Sequence, residues 1–324
     1  MGVAHIAALL AVSCALNQSV PPLTKLSAIN LPDNPTRFDY QSIDQNTGRL
    51  YLSHMGAGKL VVFDTKTNRI LANLTGYKTV TGVLAVPEEG KFYGSAAGTH
   101  EVVVADLKTN QVLARVAGAN FPDGIAYAPN VHRIFVSDES GGIDLVIDAR
   151  TNERLGKIAL GGEAGNTHFD PGSGRIWVAV QTRNEMVSID PVTLKITGRY
   201  PLDGSDHPHG FVIDSAKHLA YISCEGNNKL LVADLTTMKV LQSFDVTEGP
   251  DVLVIDEGLQ RLYVACEGGA VDVFRIGKQG LKSIGKFSAP AAHTLSVDQK
   301  THLVYIALKN VNGRPELWIL EPTK

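Results

Sequence analysis

His209, Asp251 and His293 stand 42 residues apart, and Asp39 falls into the same phase near the start of the chain. Imidazole nitrogens and carboxylate oxygens gathered at one place could ligate a divalent metal ion or do acid and base chemistry on a small polar substrate. Nearby residues add to the set. His207 precedes His209 within DHPHG, Glu225 and Glu267 repeat one another in two CEG triplets, and His54 follows a related strand pattern early in the chain. The candidate ligand-binding residues are therefore Asp39, His54, His207, His209, Glu225, Asp251, Glu267 and His293, with Asp39, His209, Asp251 and His293 as candidate metal ligands. The same phase places Gly82, Gly124 and Gly165 opposite them, which predicts a one-sided polar rim. A second reading stays open: a water-filled channel is lined by polar groups, and His or Asp at a strand start can simply hydrogen-bond backbone.

A repeat closed around an axis would bring these residues together, and the sequence contains one. Seven successive stretches, beginning RLYLSH, KFYGSA, RIFVSD, RIWVAV, HLAYISC, RLYVAC and HLVYIAL, share a unit of about 42 residues. Each unit reads as an apolar strand, a turn, an aromatic-bearing strand, a loop, a third apolar strand, a turn and a fourth strand. The first strands are taken to end at Asp44, Pro87, Pro129, Asp170, Asp214, Asp256 and Asp298. Asp64, Asp106, Asp148, Asp190 and Asp234 open the second turn, where an Asp carboxylate accepts backbone N–H groups two residues on. Runs such as LVVF, VVVA and LLVA suit strands covered on both faces. Four short strands per 40-residue unit predict an all-β, seven-bladed β-propeller with four antiparallel strands per blade. The last unit holds three strands, and LTKLSAINL resembles the fourth strands of other units. It predicts an N-terminal strand that completes the last blade and closes the ring.

The bulk numbers restrict partners more than activity. With 30 basic and 33 acidic residues interspersed, the chain has no broad positive field for phosphate backbones, so nucleic acid is not expected as a partner. A run of apolar and small residues from Ile6 to Leu16 is too short to span a bilayer and fits a signal-peptide core. Residues 1–19 are accordingly expected to be a signal peptide or lipoprotein signal, and 20–324 a single propeller domain. Cleavage after Ala15 and a lipid anchor at Cys14 are both open, as is a cytosolic N-terminus. Export would place the protein in the periplasm or outside the cell. Cys224 and Cys266 occupy equivalent positions in neighbouring units, too far apart for a disulfide, and read as small buried residues or, alternatively, as thiolate ligands.

The aromatic strand with its Ser, the following Gly, the apolar strand and Asp-x-x-Thr-Asn resemble the YVTN-repeat, YncE-like propellers across residues 23–322. That resemblance implies an exported seven-bladed propeller and carries no catalytic residues. The chain has no phosphate-binding GxxxxGKS, no GxSxG elbow, no HExxH helix and no CxxCH. Two function classes follow. One is a binding propeller that holds a small molecule or a protein on its loop face. The other is a metal-dependent hydrolase of lactonase-like type, or a lyase, with His209, His293 and Asp251 as catalytic candidates and a divalent metal ion as cofactor.

Overall fold

The computed structural model describes residues 20–323. The signal-peptide reading and Cys14 lie outside the described residues. No helix among the described residues is long and apolar enough to cross a membrane.

The described chain forms seven four-stranded antiparallel sheets, each a blade. Blade one contains β2 (Gln41–Asp44), β3 (Arg49–His54), β4 (Lys59–Asp64) and β5 (Arg69–Leu74), in sequence order from the axis outwards. Blades two to six repeat that order. Blade seven differs: β26 (Thr294–Val297), β27 (Val304–Val311) and β28 (Arg314–Pro322) receive β1 (Leu23–Asn30) as their outermost strand. Leu23 pairs with Pro322 and Asn30 with Glu316, so the two ends of the chain close the ring as the sequence predicts. Removal of residues 20–30 would leave the edge of β28, with its buried Leu317 and Leu320, without a partner. We expect that truncation to lower the melting temperature by about 10 °C or more in calorimetry, at roughly 2–4 °C per kcal/mol. An unchanged transition would show that β1 does not hold the ring.

The middle strands carry the core because both of their faces are covered. In β3 and β4 the interior positions are all buried, whereas the outer strand Lys239–Asp245 of blade five alternates exposed and half-buried residues. Aromatic residues recur at one position of the second strands, and Tyr51, Tyr93, Phe135 and Tyr263 among them are fully buried between blades. The turn motif also has its expected structure. Asp64 accepts the Lys66 N–H at 2.9 Å and the Thr67 hydroxyl at 2.8 Å, and Asn68 follows in the left-handed region at φ 54°. Asn tolerates that conformation better than most side chains, which explains why Asn ends the Asp-x-x-Thr-Asn unit. Cys224 and Cys266 are buried and unpaired, and burial pushes the Cys224 thiol up to about 12.

Around the axis the innermost strands approach closely. A Cβ on Gly82 would lie 1.9 Å from the Asp123 carbonyl oxygen, and one on Gly210 would lie 2.0 Å from that of Asp251. The serine of the second strand locks the same contact: Ser95 Oγ donates to Asp123 O at 2.7 Å, and Ser223 Oγ donates to Asp251 O at 2.8 Å. Backbone of one blade is thus fixed by the side chains of the blade before it.

Candidate functional site

Five innermost strands begin with an irregular step. Val80, Pro122, Ala164, Pro208 and Pro250 pair with the ends of their second strands, and regular pairing resumes only three residues later. A bulge at the start of a strand bends it and re-aims the side chains that follow. The residues next in sequence are Thr81, Asp123, Gly165, His209 and Asp251, and Asp39 and His293 precede the shorter first strands of blades one and seven.

This ring corrects the sequence-based phase at two places. The first strands of blades two and three end at Val86 and Ala128, one residue before the prolines taken as markers. Thr81 and Asp123 therefore hold the positions expected for Gly82 and Gly124, and of the three glycines only Gly165 keeps its place. The rim is less one-sided than the spacing predicts, because Asp123 brings a carboxylate from blade three, across from His209.

Asp39, His209, Asp251 and His293 do converge, and each is at least nine-tenths buried. They divide into two linked groups. His293 Nε2 lies 3.0 Å from Asp39 Oδ1, and its Nδ1 lies 3.0 Å from Asp251 Oδ2 and 2.9 Å from Glu267 Oε1. Arg37 covers this side, donating to Glu267 at 3.0 Å and meeting the His293 ring at 3.2 Å. The second group surrounds His209, whose Nε2 is 3.7 Å from Asp251 Oδ1, 3.9 Å from Asp123 Oδ2 and 3.3 Å from the Tyr40 hydroxyl. Tyr40 also meets Asp123 Oδ2 at 3.2 Å and the side-chain amide of Asn166.

A pocket of about 130 Å³ opens over the second group. Asp39, Asp123, Glu139, Glu225 and Asp251 line it against Arg37 and His209, with Met55 and Phe121 at its edge. Below it, Tyr40 and Asn166 also line a cavity of about 270 Å³ whose walls include Val83, Ile125, Phe211, Leu253 and Leu295. The channel is therefore polar at the loop face and largely apolar beyond the Tyr40–Asn166 contact.

Electrostatics follow from the crowding of carboxylates. Burial opposes charge on His209, but Asp251, Glu225, Asp123 and Glu139 outweigh it and raise the imidazole to about 9. His293 is likewise opposed by burial and held well above its ordinary value by Asp251, Asp39 and Glu267. Burial, reinforced by Asp39 and only partly offset by His209, holds Asp123 above the ordinary carboxylate range. For Asp251 burial acts upwards too, yet His293 and His209 reverse it and keep the group strongly acidic. Burial also raises Glu225, against the pull of His209.

Two of the sequence candidates stand apart from this cluster. His54 is fully buried, stacked on Phe38 with ring centroids 4.0 Å apart, and its Nε2 meets Thr36 Oγ1 at 2.9 Å. His207 is half-exposed and paired with Asp206 at 2.7 Å. Conversely, Arg37, Tyr40, Asp123, Glu139 and Asn166 belong to the site and were not among the candidates. Glu139 had a legible signal: its N–H donates to Phe121 O as those of Glu225 and Glu267 do to His207 O and Gly249 O, so all three hold one repeat position. Tyr40 and Asn166 had none, since their meeting spans the channel between blades one and four.

No protein-family model and no curated protein matches the chain. Solved structures do resemble it. Kuenenia stuttgartiensis hydrazine synthase aligns with a TM-score of 0.78 at 13% identity, covering 90% of this chain and 97% of that one. The WD40 repeats of RRP9 align with a TM-score of 0.78 at 7% identity, covering 91% and 97%. The U3-55K structure gives the same score and identity over 91% and 98%. At these identities the likeness establishes a WD40-like seven-bladed propeller and nothing about chemistry.

Proposed function

We propose that this propeller is a binding protein whose channel mouth captures a small polar ligand carrying positive charge. One observation carries the reading: buried and half-buried ionisable side chains from four blades meet around a pocket in which carboxylates outnumber cations. Burying that many carboxylates is costly unless a partner compensates them. His209 and Arg37 offset part of the charge, and a cationic ligand would offset more. The pocket opens on the loop face, where propellers present variable residues on a rigid frame.

Putrescine and methylguanidinium are suitable probes because each fits a pocket of this size and pairs with carboxylates. Saturable stabilisation in a thermal-shift titration is expected for one or both, with at least a tenfold loss of affinity in Asp251→Asn. No saturable shift with either probe would count against the reading. The pocket supports a second reading, hydrolysis of a small ester or lactone, on a separate observation. Asp123 stands 3.9 Å from His209 and is not tied into the Arg37–His293 network, which leaves a carboxyl group for acid or base work. Turnover of such a substrate that disappears in Asp123→Asn would favour it.

Membership of the YVTN-repeat, YncE-like propellers and export to the periplasm or beyond form part of the same reading. They rest on the repeat motif and on the apolar run Ile6 to Leu16.

A further inference from the structure

We propose that His209, Glu225 and Asp251 form a binding site for one divalent transition-metal ion of the Zn²⁺ or Mn²⁺ type. The inference rests on the reading of the channel mouth as a ligand site and names its first occupant. Each of the three residues offers one ligand atom, and these atoms lie within 4.8 Å of one another. His209 Nε2 and Asp251 Oδ1 are 3.7 Å apart. Two donors about 2.1 Å from a tetrahedral zinc are roughly 3.4 Å apart, so small side-chain rotations suffice to close the site.

An independent observation points the same way. Asp251 is 5% exposed, and its Oδ1 accepts no hydrogen bond. An unpartnered buried carboxylate oxygen carries a large desolvation penalty, and here the atom belongs to a residue that lines the pocket. The other oxygen is engaged: Asp251 Oδ2 meets His293 Nδ1 at 3.0 Å. His293 thereby orients the carboxylate and leaves Oδ1 free, as a positioning residue behind a metal ligand does. His293 itself has both ring nitrogens occupied, and with Asp39 in contact at 3.0 Å there is no room for an ion between those two. The metal reading thus moves from the Asp39–His293 side to the His209–Asp251 side, with Glu225 as the third ligand.

Charge and donor type choose the ion. Glu225 and Asp251 together balance a dication when His209 binds as neutral imidazole. An imidazole nitrogen beside carboxylate oxygens suits Zn²⁺ or Mn²⁺ better than Mg²⁺ or Ca²⁺, which prefer all-oxygen shells. Asp123 Oδ2, 3.9 Å from His209 Nε2, offers a further carboxylate donor; water or a substrate atom would complete the shell.

The test is calorimetric titration of ZnCl₂ and MnCl₂ into chelator-treated full-length protein. Saturable binding of one equivalent of at least one ion is expected, weakened 100-fold or more in both Glu225→Gln and Asp251→Asn. His207→Ala is expected to leave it unchanged, which separates this site from the exposed Asp206–His207 pair. Melting in metal-free buffer checks that each variant is folded, and the half-exposed Glu225 serves if Asp251→Asn is not. No saturable binding, or binding that survives Glu225→Gln or disappears in His207→Ala, would overturn the proposal. The putrescine and methylguanidinium titrations on the same metal-free protein keep the two readings apart: stabilisation there without metal binding removes the metal and leaves the ligand site.

Discussion

Asp144→Asn is expected to stabilise the protein at pH 8 by several kcal/mol and to leave it nearly unchanged at pH 4. Leu60, Val102, Met186, Leu230 and Val271 fill the corresponding position in five other blades, each buried opposite the second strand. Blade three has Asp144 there, 0% exposed, with one oxygen accepting a 3.3 Å hydrogen bond from Thr167 and the other without a partner. Burial pushes this carboxyl up to about 8, with Thr167 opposing only in part. The sign follows directly. An unfolded Asp loses its proton near pH 4, whereas the folded one keeps it, so stability falls as pH rises from about 4 to about 8 and then levels off. A displacement of about four pKa units corresponds to at most about 5 kcal/mol, at 1.36 kcal/mol per unit. Asn keeps an oxygen for Thr167 and has no charge to bury. Melting temperatures of both proteins from pH 4 to 9 should therefore diverge by about 10 °C at the alkaline end. Parallel curves would mean that Asp144 carries its charge at no cost.

Gly210→Ala should produce the opposite result, a loss of about 3 kcal/mol or more together with loss of the site. The new Cβ would lie 2.0 Å from the Asp251 carbonyl oxygen, a backbone atom that Ser223 also holds. Neither side can yield by rotating a side chain, so the innermost strands of blades five and six must separate. Overpacking of this kind costs about 1–3 kcal/mol where side chains can adapt, and more where backbone must move. Separation also carries Asp251 away from His209, so metal and organic-cation binding should weaken along with stability. Gly90→Ala is the control, because nothing lies within 4 Å of its Cβ position and its strain comes only from φ 64°. It should cost about 1 kcal/mol and leave binding intact. A Gly210→Ala protein that melts and binds like wild type would show that the axis is looser than its contacts imply.

The two positions differ in how far sequence could foretell them. Asp144, inside the strand IDLVID whose final Asp148 opens the turn, is visible as an anomaly once the repeats are aligned. Gly210 is visible only as a glycine, because the carbonyl that forbids a side chain belongs to the next blade. The candidate site shows the same division. His209, Asp251 and His293 keep the repeat period without interruption, so their convergence could be read from spacing. Asp123 was missed for a local reason: blades two and three end their first strands one residue before a proline, at Val86 and Ala128, and a count from the proline lands on the glycine beside the lining residue.

The sequence by itself determined the number of blades, the strand order within each, the Asp-led turns and the closure of the ring by Leu23–Asn30. These depend on local preferences and on a period, and both are properties of a linear chain. Tertiary structure alone decided which atoms face one another across the axis. It paired His293 with Asp39 and Glu267, set Tyr40 against Asn166, and left Asp251 Oδ1 unpartnered. Such choices depend on bulge geometry and on small differences in spacing between strands far apart in sequence, and no periodicity encodes them.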